Sequence, residues 1–196
     1  MDDRIRAFLA VVVPDDVRRR VETLCRPLRS RLPDARFVPA DALHLTLHFF
    51  EAIGPDEVEG VRAAAAEGAA PLAPFDVRLA GLGVFPDERR PRVLWVGVQQ
   101  GAEGLSAVVA SIGDGLRARA LPVESRPFRP HLTLARFKDP HPHGVAEAIK
   151  SAGDAETGVF RATSVTLFRS DLRATGAVHT PIGVFPLGGG QGSPGR

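Results

Sequence analysis

The sequence predicts an α+β fold with largely antiparallel sheets, and three observations carry that prediction. Apolar strand-like runs alternate with amphipathic helical runs, but without the strict rhythm of a parallel βαβ sheet. Several connections between them are short. A strand-like segment, His-Leu-Thr-Leu, occurs twice, beginning at His44 and at His131, and each copy is followed within three residues by a phenylalanine.

The elements follow in chain order. Ile5 to Val13 is a β-rich apolar run that ends at Pro14-Asp15-Asp16, a helix opening with proline and acidic residues in its first turn. In that helix Val17, Val21, Leu24 and Leu28 recur at helical spacing, with Glu22 and Arg26 four apart on the surface. A Pro-containing loop leads to a strand over Leu43 to Phe50, then Gly54-Pro55 opens an Ala-rich helix to about Ala70. Phe75 to Val84 and Val93 to Gln99 read as strands, and the polar stretch between them reads as the loop of a hairpin. Leu105, Val108, Val109, Ile112 and Leu116 mark a third amphipathic helix, after which Pro130 leads into a strand running to Phe137. A short helix from about Gly144 to Ala152 precedes strands over Val159 to Phe168 and Val178 to Phe185. The tail Gly188 to Arg196, rich in Gly, Ser and Pro, is expected to be disordered, which leaves residues 1–187 as one domain. Each His-Leu-Thr-Leu copy sits in a strand with helices on both sides, so two related lobes joined near residues 100 to 120 are expected.

Composition narrows the class of protein. With 196 residues and 44% hydrophobic content, the chain can bury a sizeable core. The sequence pI is about 9.3 although the formal net charge is only +2. The chain has no Tyr and one Cys, so almost nothing titrates between His and Lys and a small Arg excess moves the pI far upward. A general nucleic-acid coat is therefore not implied. Lys138 and Lys150 are the only lysines. Arginine suits bidentate phosphate contact, but a GC-rich genome produces the same bias and ranks ahead as its cause. Cys25 is alone, so no intramolecular disulfide forms, and a reducing cytoplasm is the expected compartment. Ile5 to Val13 is too short to span a bilayer and reads as a buried strand, so no membrane association is expected; a monomer is the working expectation.

The repeated segment carries the chemistry. Side chains alternate along a strand, so His44 and Thr46 share one face while Leu45 and Leu47 share the other, and His131 and Thr133 stand likewise against Leu132 and Leu134. A one-residue slip would bury both histidines, so the display is firmly specified. One such segment is most simply a half-exposed strand. Two histidines facing a shared cleft are the pair that phosphodiester hydrolysis needs: one removes a proton from the attacking group and the other protonates the departing oxygen. Each threonine supplies a hydroxyl able to donate to a phosphate oxygen and stabilise charge developing there. The scheme requires no metal and no cofactor, and either histidine could play either part.

Other readings were weighed against this one. His44 and His48 lie four apart on one face of a regular strand, but no third ligand of familiar spacing accompanies them, so zinc ranks low. His141 and His143 flank Pro142 and are read as solvated, and His179 as a strand residue without chemistry. No Gly-x-x-x-x-Gly-Lys-Ser/Thr loop is present, and neither lysine sits in a Lys-x-Asp-Gly context, so ATP-driven ligation is improbable. A non-catalytic binder that keeps the cleft but not the turnover is the alternative, against which both intact histidines and threonines argue.

The chain resembles the 2H phosphoesterases and, among them, the bacterial RNA 2',3'-cyclic phosphodiesterases, also called 2'-5' RNA ligases. Besides the two motifs, the resemblance includes Arg6-Ala7-Phe8, Phe37-Val38, Phe85-Pro86, Arg92-Val93-Leu94-Trp95, Phe128-Arg129-Pro130 and Phe185-Pro186-Leu187. It implies a bilobal fold of two antiparallel sheets related by a pseudo-twofold, with outer helices and the catalytic cleft between. It implies His44 as proton donor to the leaving 3'-oxygen, His131 as the base that activates water, and a 2'-phosphate product. RNA ends bearing a 2',3'-cyclic phosphate are the implied partner, with tRNA halves, other RNA ends and small cyclic nucleotides all compatible. Ligation would be the same chemistry with a ribose hydroxyl in place of water. Phe49 and Arg136 each lie five residues past a histidine, and so on the opposite face of a regular strand. The resemblance nonetheless brings both to the ligand, Arg136 to phosphate and Phe49 to a base; a bulge would reconcile the two. Trp95 is read as core.

Overall fold

The computed structural model describes residues 3–139, 142–153, 156–173 and 176–188. Among the described residues nine strands and four α-helices follow one another as β1 (Ile5–Val12), α1 (Asp15–Arg31), β2 (Ala35–Phe37), β3 (His44–Ile53), α2 (Pro55–Ala69), β4 (Phe75–Phe85) and β5 (Val93–Gln100), then α3 (Ala102–Ala118), β6 (His131–Phe137), α4 (Val145–Ala152), β7 (Glu156–Ala162), β8 (Ser164–Arg173) and β9 (Gly176–Pro186). They form two antiparallel sheets, a four-stranded one ordered β3-β1-β8-β9 and a five-stranded one ordered β2-β6-β5-β4-β7. This is the mixed α+β, two-sheet architecture that the sequence predicts.

The sheets correspond strand for strand. β3, β1, β8 and β9 of the first match β6, β5, β4 and β7 of the second, with β2 added at the edge. Each histidine strand begins with its His and pairs with the strand that precedes an amphipathic helix: β1 before α1, β5 before α3. Both helices bury the side that their periodicity marks, Val17, Val21, Cys25 and Leu28 in α1 and Leu105, Val108, Ile112 and Leu116 in α3. β1 is covered on both faces, with Ala7 to Val11 all buried, as a central strand between β3 and β8 requires. The buried apolar residues form one contiguous cluster that draws on both sheets.

The structure corrects the sequence reading in four places. The lobes are not consecutive halves joined near residues 100 to 120. β4 and β5 belong with the second histidine strand, while β8 and β9 return to the first. The stretch expected as one strand over Val159 to Phe168 breaks at Thr163, and β7 pairs with β4 while β8 pairs with β1 in the other sheet. A continuous apolar run hides such a break, because both halves are buried. Ala35–Phe37, expected as loop, is a three-residue strand on β6, too short to show periodicity. On α1, Glu22 is taken by Arg29, two turns away, in a two-pronged contact whose Nη2–Oε2 distance is 2.9 Å, rather than by Arg26. Of the expected tail only Gly188 lies within the described residues, and no helix among them is long and apolar enough to cross a membrane.

Candidate active site

Both histidine strands carry the same irregularity at the same place. Against β1, Ala10 pairs with Thr46 and Leu9 with His48, so Leu47 is passed over. Against β5, Trp95 pairs with Thr133 and Leu94 with Ala135, so Leu134 is passed over. One extra residue reverses the alternation beyond it. Leu47 and His48 are both buried, as are Leu134 and Ala135, after which Phe49 and Arg136 return to the face of His44 and His131. Both residues five past a histidine therefore stand on its face. His48 is the correction: it lies on the face opposite His44, buried, with Nε2 3.0 Å from the Val109 carbonyl of α3. Among the described residues no three His, Cys, Asp or Glu side chains come together.

The two imidazoles are held alike. His44 Nδ1 lies 2.7 Å from the Ala42 carbonyl, and His131 Nδ1 lies 2.6 Å from the Arg129 carbonyl, in each case two residues upstream. A carbonyl only accepts, so each Nδ1 carries the proton and each Nε2 is left for the ligand. Burial pushes the His44 imidazole down to about 4, and the nearby charges of Arg136 and Arg18 act in the same direction. Burial also lowers His131, and Arg136 acts on it as well. One guanidinium thus lies within reach of both histidines.

Their surroundings differ. His44 stacks on Phe8, centroids 4.4 Å apart, and meets the edge of His179 at 5.5 Å, with Phe168 stacked behind Phe8 at 5.2 Å. His131 meets the edge of Phe85 at 4.9 Å, and Phe85 leans on Trp95 at 5.1 Å. Trp95 pairs with Thr133 and shares its face, so it is half-buried on the cleft side of its sheet while Leu94 and Val96 fill the core. Gly83 opposite leaves it room: a Cβ there would run into the indole. His179, expected to be without chemistry, stands in the site beside His44, lowered by burial and by the charge of Arg6. His143 is exposed, and His141 lies outside the described residues.

A cleft of about 820 Å³ runs between the sheets, lined on one side by His44, Thr46 and Phe49 and on the other by Thr133 and Arg136. His131 itself is not among its lining residues. It joins them through Thr133 and Arg136 on its own strand and through contact between β3 and β6. Phe49 is 38% exposed, but the Arg6 guanidinium covers one face of its ring at 4.5 Å from the centroid. The hairpin of β8 and β9 closes the cleft with Ser170, Arg173, Val178 and His179. Phe8, Phe168, His179 and Phe85 carried no motif of their own in the sequence. Arg6-Ala7-Phe8 and Phe85-Pro86 were visible only as pieces of resemblance.

Comparison with known proteins places this geometry in a family. A family model described as the 2'-5' RNA ligase superfamily matches residues 13–174. A Methanothermobacter thermautotrophicus protein named RNA 2',3'-cyclic phosphodiesterase is 32% identical over 185 residues, covering 94% of this chain and all of the relative. A Thermus thermophilus protein of the same name is 35% identical over 196 residues, covering 96% of this chain and 93% of its own. A crystal structure of a Thermus thermophilus protein superposes with a TM-score of 0.77 at 32% identity, over 94% of this chain and 99% of that one. Escherichia coli LigT in complex with NADP+ does so at 0.70 and 25% identity, over 94% and 99%. Two matched histidine strands on paired antiparallel sheets are thus accompanied by family-wide similarity along the chain: it belongs to the 2'-5' RNA ligase superfamily, the 2H phosphoesterases.

Proposed function

We propose that this protein hydrolyses the 2',3'-cyclic phosphate ends of RNA to 2'-phosphomonoesters by two-histidine acid–base catalysis. One observation carries the reading: two strands with the same bulge and the same Nδ1-to-carbonyl hydrogen bond leave two imidazoles with Nε2 free and two threonines on their face. In the proposed step His131 Nε2 takes a proton from water as its oxygen attacks phosphorus. The bond from phosphorus to the 3'-oxygen breaks, and His44 gives its Nε2 proton to that oxygen. The two histidines then re-equilibrate with solvent, so water is the only reactant consumed. The Thr46 and Thr133 hydroxyls donate to the equatorial oxygens, and Arg136 sets its charge against them. Phe49, with Arg6 across its ring, offers the terminal base a composite stacking surface.

The role of each histidine comes from family resemblance, and the electrostatics add a condition. With burial holding His44 near 4, its imidazole is neutral at neutral pH in the empty enzyme. A bound phosphate anion opposes that effect, because a nearby negative charge favours the imidazolium. Substrate therefore helps to protonate its own acid. A 5'-hydroxyl in the place of water would form a 2'-5' linkage with the same two residues and no nucleotide triphosphate. The relatives named RNA 2',3'-cyclic phosphodiesterase support the substrate class, and a cytoplasmic setting fits it.

The test is turnover of 2',3'-cyclic nucleotides in excess EDTA, with the phosphate position of the product assigned. Persisting turnover to a 2'-phosphate is expected. Loss on chelation sinks the metal-free mechanism, tight binding without turnover favours a non-catalytic RNA-end binder, and a 3'-phosphate reverses the bond that is cut.

A further inference from the structure

The cleft carries more positive charge than one phosphate uses. Guanidiniums from Arg6, Arg36, Arg136 and Arg173 line it, and among the described residues no carboxylate does. Arg6 is laid over Phe49, and Arg136 serves the reacting phosphate beside both histidines. Arg36 and Arg173 have no part in that chemistry.

Their placement is specific. Arg36 stands directly opposite Arg136 on the ladder between β2 and β6, which sets both on the cleft face of that sheet. Arg36 also reaches across to the other sheet: its Nη2 lies 3.2 Å from where a Cβ would stand on Gly176. Gly176 is the register partner of Arg173. One arginine from each sheet therefore meets at one end of the cleft, past Arg136. Both are exposed, and Asp171, the carboxylate closest to Arg173 in sequence, is taken by Arg169 at 2.9 Å.

We propose that Arg36 and Arg173 bind the phosphodiester that joins the terminal nucleotide to the one before it. The site then selects the cyclic end of an RNA chain over a cyclic mononucleotide, a selection that rests on the proposed hydrolysis. The terminal phosphate sits between the threonines and Arg136, and the chain leaves the cleft past the hairpin of β8 and β9.

The test compares a 2',3'-cyclic mononucleotide with a free 5'-hydroxyl, a dinucleotide with the same cyclic end and a longer oligonucleotide. In the native chain kcat/KM is expected to rise roughly tenfold from mononucleotide to dinucleotide, the gain of a charge-assisted contact. Arg36→Gln and Arg173→Gln should each remove most of that rise and leave mononucleotide turnover within about twofold, since neither touches the reacting atoms. Each should also flatten the dependence of log kcat/KM on log salt for the dinucleotide by about 0.7. Because Arg36 touches the hairpin, Arg36→Lys separates charge from packing: it should keep the salt slope. Equal kcat/KM on mononucleotide and dinucleotide, or equal losses on both in the variants, overturns the inference while leaving the hydrolytic reading intact. A native chain that turns over none of the three overturns both.

Discussion

The two halves of the active site share a backbone and differ in what surrounds it. Each has a strand that opens with His, a threonine two residues on, a bulge at the same leucine and a carbonyl holding Nδ1. Around His44 that frame is set among rings, with Phe8, Phe168 and His179 against the imidazole and Phe49 five residues on. Around His131 it is set among cations, with Arg136 in the place of Phe49, Arg129 in the place of Ala42 and the Arg129 guanidinium over Phe85 at 5.9 Å. The frame makes two interchangeable histidines, and the surroundings make them unequal. The proposed ligand fits that inequality, with its base on the aromatic half and its phosphate against the cationic half.

The largest expected effect breaks the frame itself. His44→Ala or His131→Ala should each lower kcat by on the order of 10²–10⁴-fold on a cyclic-phosphate substrate. The double variant should be little worse than either single one, because acid and base act on one transition state. Near-normal activity in either single variant removes that histidine from the mechanism. Next in size, Arg136→Gln is expected to cost roughly 10–100-fold, the loss of a charged group at the developing phosphorane. Phe49→Leu, at the equivalent position of the other half, should act on KM and spare kcat. If the two variants show the same split between kcat and KM, the division of labour between the halves fails.

Much of this contrast was legible in the sequence. The repeated His-x-Thr pairs and the leucines between them fix which side chains face out, because a period of two leaves no other way to bury Leu45, Leu47, Leu132 and Leu134. The bulges were not legible, because nothing at Leu47 or Leu134 marks an extra residue; they are set by pairing with β1 and β5. For that reason His48 read as a neighbour of His44 when it belongs to the core. His179 was missed for a similar reason: it is about as far along the chain from His44 as the fold allows, and only the β8–β9 hairpin brings it back. The exchange of strands between sheets was equally hidden, since a continuous apolar run does not say which neighbour it will pair with.

A finer prediction concerns pH. In a kcat/KM profile the two limbs report the free enzyme in order of pKa, so His44, which burial draws down to about 4, sets the limb at low pH, and the less strongly lowered His131 sets the limb at high pH, whichever of the two is the acid. In a kcat profile the same limbs report the complex, where the phosphate anion favours the imidazolium. The high-pH limb should therefore lie at higher pH for kcat than for kcat/KM. Phe8→Leu, which strips the stacked ring from His44, should move the low-pH limb of kcat/KM upward and leave the high-pH limb in place; a shift of the high-pH limb alone would show that His44 is not the group that burial holds down.

The smallest effect separates chemistry from architecture. His48 sits between the two reading frames of β3, past the bulge, and its Nε2–H to the Val109 carbonyl ties the histidine strand to α3. Burial lowers its imidazole below the ordinary value. The unfolded chain takes up a proton below about 6.5 while the folded chain resists it, so this contribution to stability is fully present above that pH and is lost as pH falls toward the lowered value. His48→Ala should cost about 2 kcal/mol of stability at pH 7, from a lost hydrogen bond and the space left behind, with kcat within about twofold of the native chain. Its loss of stability as pH falls below about 6.5 should also be shallower than that of the native chain, because one neutral buried imidazole is gone. Parallel pH dependences in the two proteins would show that His48 is protonated as readily folded as unfolded, and a large loss of kcat would extend the catalytic frame through the bulge into the core.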